Sequence, residues 1–185
     1  SKLAAERLLG LFPDVPSVVL RPVSVYGPRD RDVLSLLQGI QRGFAPVIGG
    51  PDRRLTFVHV EDVVDALCLA AEDPRAVGRI YFVSDGRIYT WREAKAVMEA
   101  SLGRKALDVP VPGPLVWMFA ALSDGWSRLR GVPTIFNLNK VPEILAQNWG
   151  CSGERLQQEL GFRPRYSLAD GMVQTVQWAR RAGWL

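Results

Sequence analysis

One run of apolar and β-branched residues, bounded by Pro and Gly, constrains this chain more than any other feature. From Pro16 to Pro28 it reads Pro-Ser-Val-Val-Leu-Arg-Pro-Val-Ser-Val-Tyr-Gly-Pro. The near-continuous Val18, Val19 and Leu20 predict a strand buried on both faces, and such strands belong to parallel sheets covered by helices. Helical patterns stand on either side of it. Lys2 to Leu11 spaces Leu3, Ala4, Leu8, Leu9 and Leu11 at helical intervals, and Asp32 to Gly43 repeats Val33, Leu36, Leu37 and Ile40 before a glycine stop.

The pattern continues downstream. Leu55 to Val60 predicts a second strand, followed by a helix capped by Asp62 that runs through Val63, Ala66, Leu67 and Ala70 to near Pro74. Arg79 to Val83 predicts a third strand. Thr90-Trp91-Arg92-Glu93 has the form of a capping box, opening a helix that should stop at Gly103. Ser167 to Asp170 is a weaker box before a terminal helix through Val173, Val176, Trp178 and Ala179. Strands alternating with helices, then helices alone, define an α/β chain with a mainly helical end. Pattern fails only from Pro110 to Trp149, where five prolines surround an apolar, helix-like piece.

Composition limits what such a fold can do. At 185 residues, the chain can bury roughly 70% of the surface that its unfolded form exposes, and 48% hydrophobic with 23% charged residues excludes disorder as a whole-chain state. The longest apolar run, Leu115 to Leu122, is too short to cross a bilayer core of about 30 Å. Cys68 and Cys151 are far apart and lack partners at metal-ligand spacing, so neither a disulfide framework nor a metal site is expected. Cys68, within an apolar helix, is expected to be buried. The net charge of +4 is scattered, with nineteen Arg and four Lys in no run, and no nucleic-acid partner is expected. The opening Ser-Lys-Leu-Ala-Ala-Glu-Arg has no secretory pattern and reads like the middle of a longer sequence, and the two widely separated cysteines make a reducing cytoplasm the expectation.

No self-contained catalytic constellation appears. His59 is the sole histidine, no Ser or Cys sits in a nucleophile elbow, and neither a Walker A loop nor a G-x-G-x-x-G after a strand is present.

Four segments together carry a resemblance. They are Ser1-Lys2 on a helix, Leu20 to Asp30 (Leu-Arg-Pro-Val-Ser-Val-Tyr-Gly-Pro-Arg-Asp), Phe57 to Ala66 (Phe-Val-His-Val-Glu-Asp-Val-Val-Asp-Ala), and Leu160 to Pro164 with Ser167 to Gly171. In this order and spacing the chain resembles the C-terminal part of an extended short-chain dehydrogenase/reductase of the NAD-dependent epimerase/dehydratase family. The resemblance implies a Rossmann-type parallel sheet with a small, mainly helical substrate-binding lobe. It places 1–30 and 55–88 in the dinucleotide-binding domain, with that domain's N-terminal part absent, and 31–54 and 89–185 in the lobe.

It also implies roles. The family carries Y-x-x-x-K on one helix face, where the ammonium favours the phenolate and holds the nicotinamide ribose. Lys2 matches that lysine, and the Tyr would lie four residues earlier, before the first residue of this sequence. Pro22 and Val25 match positions that lie against the nicotinamide of NAD or NADP. Ser24, Arg53, Arg54 and Leu55 match the substrate-binding segments. Two of these depart from the nucleotide-sugar pattern, since Ser24 stands where Asn is common and Leu55 where an Arg often meets a pyrophosphate. Arg53 and Arg54 are adjacent, although strand alternation turns Arg54 away from the side of Leu55.

These departures move the chain toward the branch that resembles 3β-hydroxysteroid and sterol-4-carboxylate dehydrogenases, as do Trp91, Pro133-Thr134 and Trp149-Gly150-Cys151-Ser152. Leu115 to Leu122 is then a core helix, the lining of an apolar pocket, or a peripheral contact with a membrane. The implied activity is hydride transfer at a hydroxyl-bearing carbon of a small sugar-nucleotide or sterol-like substrate, by a homodimer joined through Leu3 to Leu11. The 185 residues alone are expected to be inactive and to bind NAD(P) weakly. The competing reading is a non-catalytic, substrate- or partner-binding module derived from that family.

Overall fold

The computed structural model describes residues 2–131 and 137–185. In chain order its elements are α1 (Lys2–Leu9), β1 (Val19–Pro22), β2 (Ser24–Tyr26), α2 (Arg31–Gln41), β3 (Phe44–Ile48), β4 (Arg54–His59), α3 (Val60–Glu72) and β5 (Ile80–Val83). There follow β6 (Ile88–Thr90), α4 (Trp91–Leu102), β7 (Leu107–Val111), α5 (Gly113–Arg130), α6 (Val141–Leu145), β8 (Asn148–Trp149), α7 (Glu154–Leu160) and α8 (Leu168–Arg181). The Pro133-Thr134 pair lies outside the described residues. The chain forms two compact units, one of residues 1–31, 56–88 and 151–185, the other of 32–55 and 89–150.

The first unit is built on parallel pairing. Val19 to Pro22 run alongside Ile80 to Val83, and Ser24 to Tyr26 alongside Phe57 to His59. The long strand read from the sequence is thus divided at Pro22, which lacks an N–H for the ladder. The Val23 N–H still reaches the Val83 carbonyl at 3.2 Å, and the next three residues pair with β4 instead. β1 is half-buried, not sealed on both faces as expected. The core of this unit joins Val58, Ala66, Tyr81 and Val83 to Leu156, Leu160 and Phe162. This corrects the expected domain limits, because 151–185 packs with the first unit and not with the lobe. Short-range pattern identifies α7 and α8 as helices but does not say which sheet receives their apolar faces.

Two further expectations change in α3. Asp62 is not its N-cap. His59 takes that place in extended conformation, its Nδ1 accepting from the Glu61 N–H at 3.4 Å. Asp62 is fully buried inside the first turn, and its carboxylate accepts the backbone N–H groups of Arg165 at 2.8 Å and Tyr166 at 3.2 Å. Cys68 is exposed, because the buried row of α3 is Asp62, Ala66 and Ala70, and a residue two positions beyond Ala66 falls on the opposite side of the helix.

The second unit contains the parallel pair β3 and β7, with Phe44 opposite Leu107 through Ile48 opposite Val111, and the pairing of Arg54 and Leu55 with Asn148 and Trp149. α4 begins with the expected box. Glu93 N–H donates to Thr90 Oγ1 at 3.2 Å and Thr90 N–H to Glu93 Oε2 at 2.8 Å, and Gly103 closes the helix in the left-handed conformation at φ 70°. α5 corrects the core-helix expectation. Among the described side chains of α5, Val116 and Ala120 are the ones buried, in a core with Val141, while Leu115, Trp117, Met118, Phe119 and Leu122 are exposed.

Candidate functional site

The sequence-derived site residues divide between the two units. Lys2, Pro22, Ser24 and Val25 belong to the first, and Arg53, Arg54 and Leu55 to the second.

In the first unit, α1 is tied to β1 by a charged fork. Arg21 donates to both carboxylate oxygens of Glu6, at 3.0 Å and 2.5 Å, and these bonds hold the Glu6 carboxyl below its ordinary value. Lys2 lies one helical turn before Glu6, so it shares the face of α1 that meets this strand. Lys2 itself is exposed, as are Pro22 and Val25, while Ser24 is half-buried. The helix of Lys2 and the strand leading to Pro22 and Val25 are therefore held together.

Behind that strand lies a joint between β2, β4 and α8. Tyr26 is buried, packs edge-on to the rings of Phe57 and His59, and donates its hydroxyl to the Ser167 carbonyl at 3.2 Å. A Cβ at Gly171 would stand 2.3 Å from the Tyr26 hydroxyl and 3.0 Å from His59 Cδ2. The glycine interrupting α8 therefore lets the helix approach these rings, and a Gly inside a helical pattern was the available signal. His59 is wholly buried with no hydrogen-bond partner for Nε2 among the described residues. Burial pushes its pKa below the ordinary 6.5, against the opposing pull of Glu61 and Asp62.

In the second unit, Arg53 and Leu55 are half-buried and Arg54 is exposed, as alternation along a strand requires. The Arg53 guanidinium carbon stands 5.7 Å from the centre of the Trp149 ring. The Trp149 indole N–H donates to the Glu143 carbonyl at 3.2 Å, which fixes that ring. The Trp91 N–H donates to the Arg53 carbonyl at 2.9 Å. Both tryptophans were visible in the sequence only as marks of resemblance, not as parts of a site. Among the described residues, no group of three His, Cys, Asp or Glu side chains could hold a metal ion, and no helix is long and apolar enough to cross a membrane.

Comparison with known proteins agrees with this architecture. Residues 1–84 match the model of the NAD dependent epimerase/dehydratase family. The chain is 32% identical over 174 residues to a ceramide reductase of Caulobacter vibrioides, covering 93% of this chain and 54% of the relative. It is 34% identical over 176 residues to the short-chain dehydrogenase/reductase family 42E member 1 of Bos taurus, covering 89% and 44%. Among solved structures, the UDP-glucose 4-epimerase of Thermotoga maritima with UDP-glucose superposes at a TM-score of 0.72 with 20% identity, over 98% of this chain and 52% of that one. The UDP-glucuronic acid 4-epimerase of Bacillus cereus, in complex with UDP-glucuronic acid and NAD, superposes at 0.70 with 16% identity, over 98% and 51%.

The family match thus lies in residues 1–84, and the chain matches the C-terminal part of longer relatives that include epimerases and reductases. It spans about half the length of the curated relatives it matches.

Proposed function

We propose that the protein carrying this chain is a nicotinamide-dependent oxidoreductase or epimerase acting at a hydroxyl-bearing carbon, and that the first unit belongs to its dinucleotide-binding domain. The observation that carries the reading is the Glu6–Arg21 fork, which fixes the helix of Lys2 against the strand ending at Pro22 and Val25. The residues suit a nicotinamide in chemical character. Val25 is apolar and 39% exposed near the carboxyl end of a parallel strand, the end where open α/β sheets bind ligands. NAD or NADP, when bound, accepts or returns the hydride. Pro22 and Val25 give the ring an apolar wall, and Lys2 supplies a cation that binds a ribose hydroxyl and favours the ionised form of a neighbouring phenol.

Ser24, Arg53, Arg54 and Leu55 are assigned to the substrate. A leucine at 55 and a ceramide reductase among the relatives favour a lipid-like alcohol or ketone over a nucleotide sugar. The exposed Leu3, Leu8 and Leu9 of α1, a helix with no buried residue, support a homodimer through that surface.

Oxidation of a long-chain or sterol alcohol by the full-length protein, followed by the absorbance of reduced nicotinamide, tests this. Lys2→Met is expected to lower kcat/KM about a hundredfold or more. An intact Lys2→Met enzyme with unchanged kcat/KM removes the role of Lys2. A full-length protein that binds neither NAD nor NADP removes the reading altogether and leaves the non-catalytic module.

A further inference from the structure

The parallel pair β3 and β7 is sealed on one face and open on part of the other. Ala45 and Val47 are buried, so by alternation Phe44, Pro46 and Ile48 share the opposite face. The register sets Leu107, Val109 and Val111 of β7 beside them on that face. Its carboxyl end is covered, because Ile48 and Val111 pack against Val116 and Ala120 of α5 and against Val141. At its amino end Phe44, Val109 and Leu107 are exposed, Leu107 to 78%. All these residues belong to the second unit.

α5 adds an apolar stripe of its own. Leu115, Met118, Phe119, Leu122 and Trp126 are exposed at helical spacing, and the helix carries no charged residue from Gly113 to Ser123. Apolar surface gathered in this way marks an interaction site.

The exposed charges at the open end are cationic. Arg42 stands two positions before Phe44, and Arg104 and Lys105 stand three and two before Leu107, all of them exposed. The two approaches lie side by side, since the Leu107 N–H donates to the Gly43 carbonyl at 2.8 Å. Lys105 meets Glu99 at 3.2 Å, and that carboxylate is itself buried. Asp108 of β7 alternates away from Leu107 and Val109 and pairs with Lys95. Near the end of α5 the Arg130 guanidinium carbon lies 4.4 Å from the centre of the Trp126 ring, while Asp124 is half-buried.

We propose that this surface of the second unit docks onto an anionic phospholipid bilayer, its aromatic and aliphatic side chains entering the boundary between headgroups and acyl chains and its cations meeting lipid phosphates. Apolar burial and attraction to anionic lipid add in this mode, and tryptophan rings suit the interface. A second copy of the chain fits less well, because pairing the surface with itself brings like charges together at the rim. None of these residues belongs to the nicotinamide or substrate sets.

Flotation of the full-length protein with vesicles tests this, using equal parts phosphatidylserine and phosphatidylcholine in one series and phosphatidylcholine alone in the other. Binding to the anionic vesicles is expected to be about tenfold tighter or more, and to weaken as salt rises. Arg104→Gln is expected to weaken it about fivefold, the loss of one cation at such a surface. Phe119→Ser combined with Leu122→Ser should weaken it about tenfold or more. Circular dichroism checks each variant, and if the α5 variant does not fold, Arg104→Gln and Leu107→Ser decide. Wild-type protein that stays unbound at low salt, equal binding to the two kinds of vesicle, or binding that the folded variants leave unchanged overturns the proposal. So does a dimer on light scattering that the α5 variant disperses, since a second copy then covers the surface. A protein that binds anionic vesicles but neither NAD nor NADP keeps this surface and loses the redox function.

Discussion

Each unit meets its buried carboxylate, Asp62 in the first and Glu99 in the second, and the two differ in which buried groups are left without a partner among the described residues. In the first, Asp62 is wholly buried yet accepts two backbone N–H groups from the segment before α8, and buried Thr56 accepts the Cys151 N–H at 3.0 Å. In the second, two buried donors, Arg53 Nε and Trp91 Nε1, have no acceptor among the described residues. A buried polar group left unmet costs about 1–3 kcal/mol, so folds retain few of them without a functional reason. The first unit also leaves His59 Nε2 and Gln174 Oε1 buried without a hydrogen-bond partner among the described residues.

The largest expected effect tests the scaffold. Gly171→Ala would place a methyl 2.3 Å from the Tyr26 hydroxyl and 2.9 Å from Cζ of the same buried ring, and neither that ring nor the α8 backbone can move aside without opening the joint. Overpacking of this kind costs about 3 kcal/mol, read as a fall in the urea midpoint at constant slope. A neutral Gly171→Ala would mean that the joint is looser than its geometry and that the first unit is not the rigid partner in the comparison.

Asp62→Ala comes next. It leaves the Arg165 and Tyr166 N–H groups without their acceptor, at a cost of about 2 to 3 kcal/mol. If Asp62 only capped α3 the loss would be nearer 1 kcal/mol, so the magnitude separates the two roles.

His59 gives a smaller effect with a distinct pH signature. Its folded pKa is depressed by burial, so the folded state binds fewer protons than the unfolded state. Its contribution is therefore fully present above the unfolded value of about 6.5 and is lost as the pH falls from there through the depressed folded value. His59→Asn, which can still cap α3, should flatten the fall in stability below about pH 6.5. An unchanged pH profile would show that the imidazole does not remain neutral in the fold.

What the sequence made legible follows distance along the chain. The Thr90 to Glu93 box and the Gly103 stop depend on neighbours within one turn and were readable as they stand. The parallel pairing was readable in kind from Val18 to Leu20, although β1 is less covered than that run implied. The role of Asp62 was not, because its partners lie about a hundred residues away and its spacing also fits an N-cap. The placement of 151–185 failed for the same reason, since Leu156, Leu160 and Phe162 show helical periodicity whichever sheet they cover. At the site, Lys2, Pro22 and Val25 were named through resemblance. The Trp149 platform under Arg53 was missed because the two residues are nearly a hundred positions apart and meet only through strand pairing.

The smallest expected effect sharpens the comparison from the other side. Leu115, Met118, Phe119, Leu122 and Trp126 recur at helical spacing along one face of α5, and each is more than 40% exposed. The opposite face carries Val116 and Ala120 into the core with Val141. Removing apolar area that is already in water changes folding little, so Phe119→Ser and Leu122→Ser should each shift stability by no more than about 0.5 kcal/mol. Val116→Ala should cost measurably more, because it opens space inside a packed cluster. A large loss from Phe119→Ser would show that the face is covered in the folded protein. Chemical denaturation at two protein concentrations then identifies the cover, since a second copy makes the midpoint rise with concentration and coverage within one chain does not.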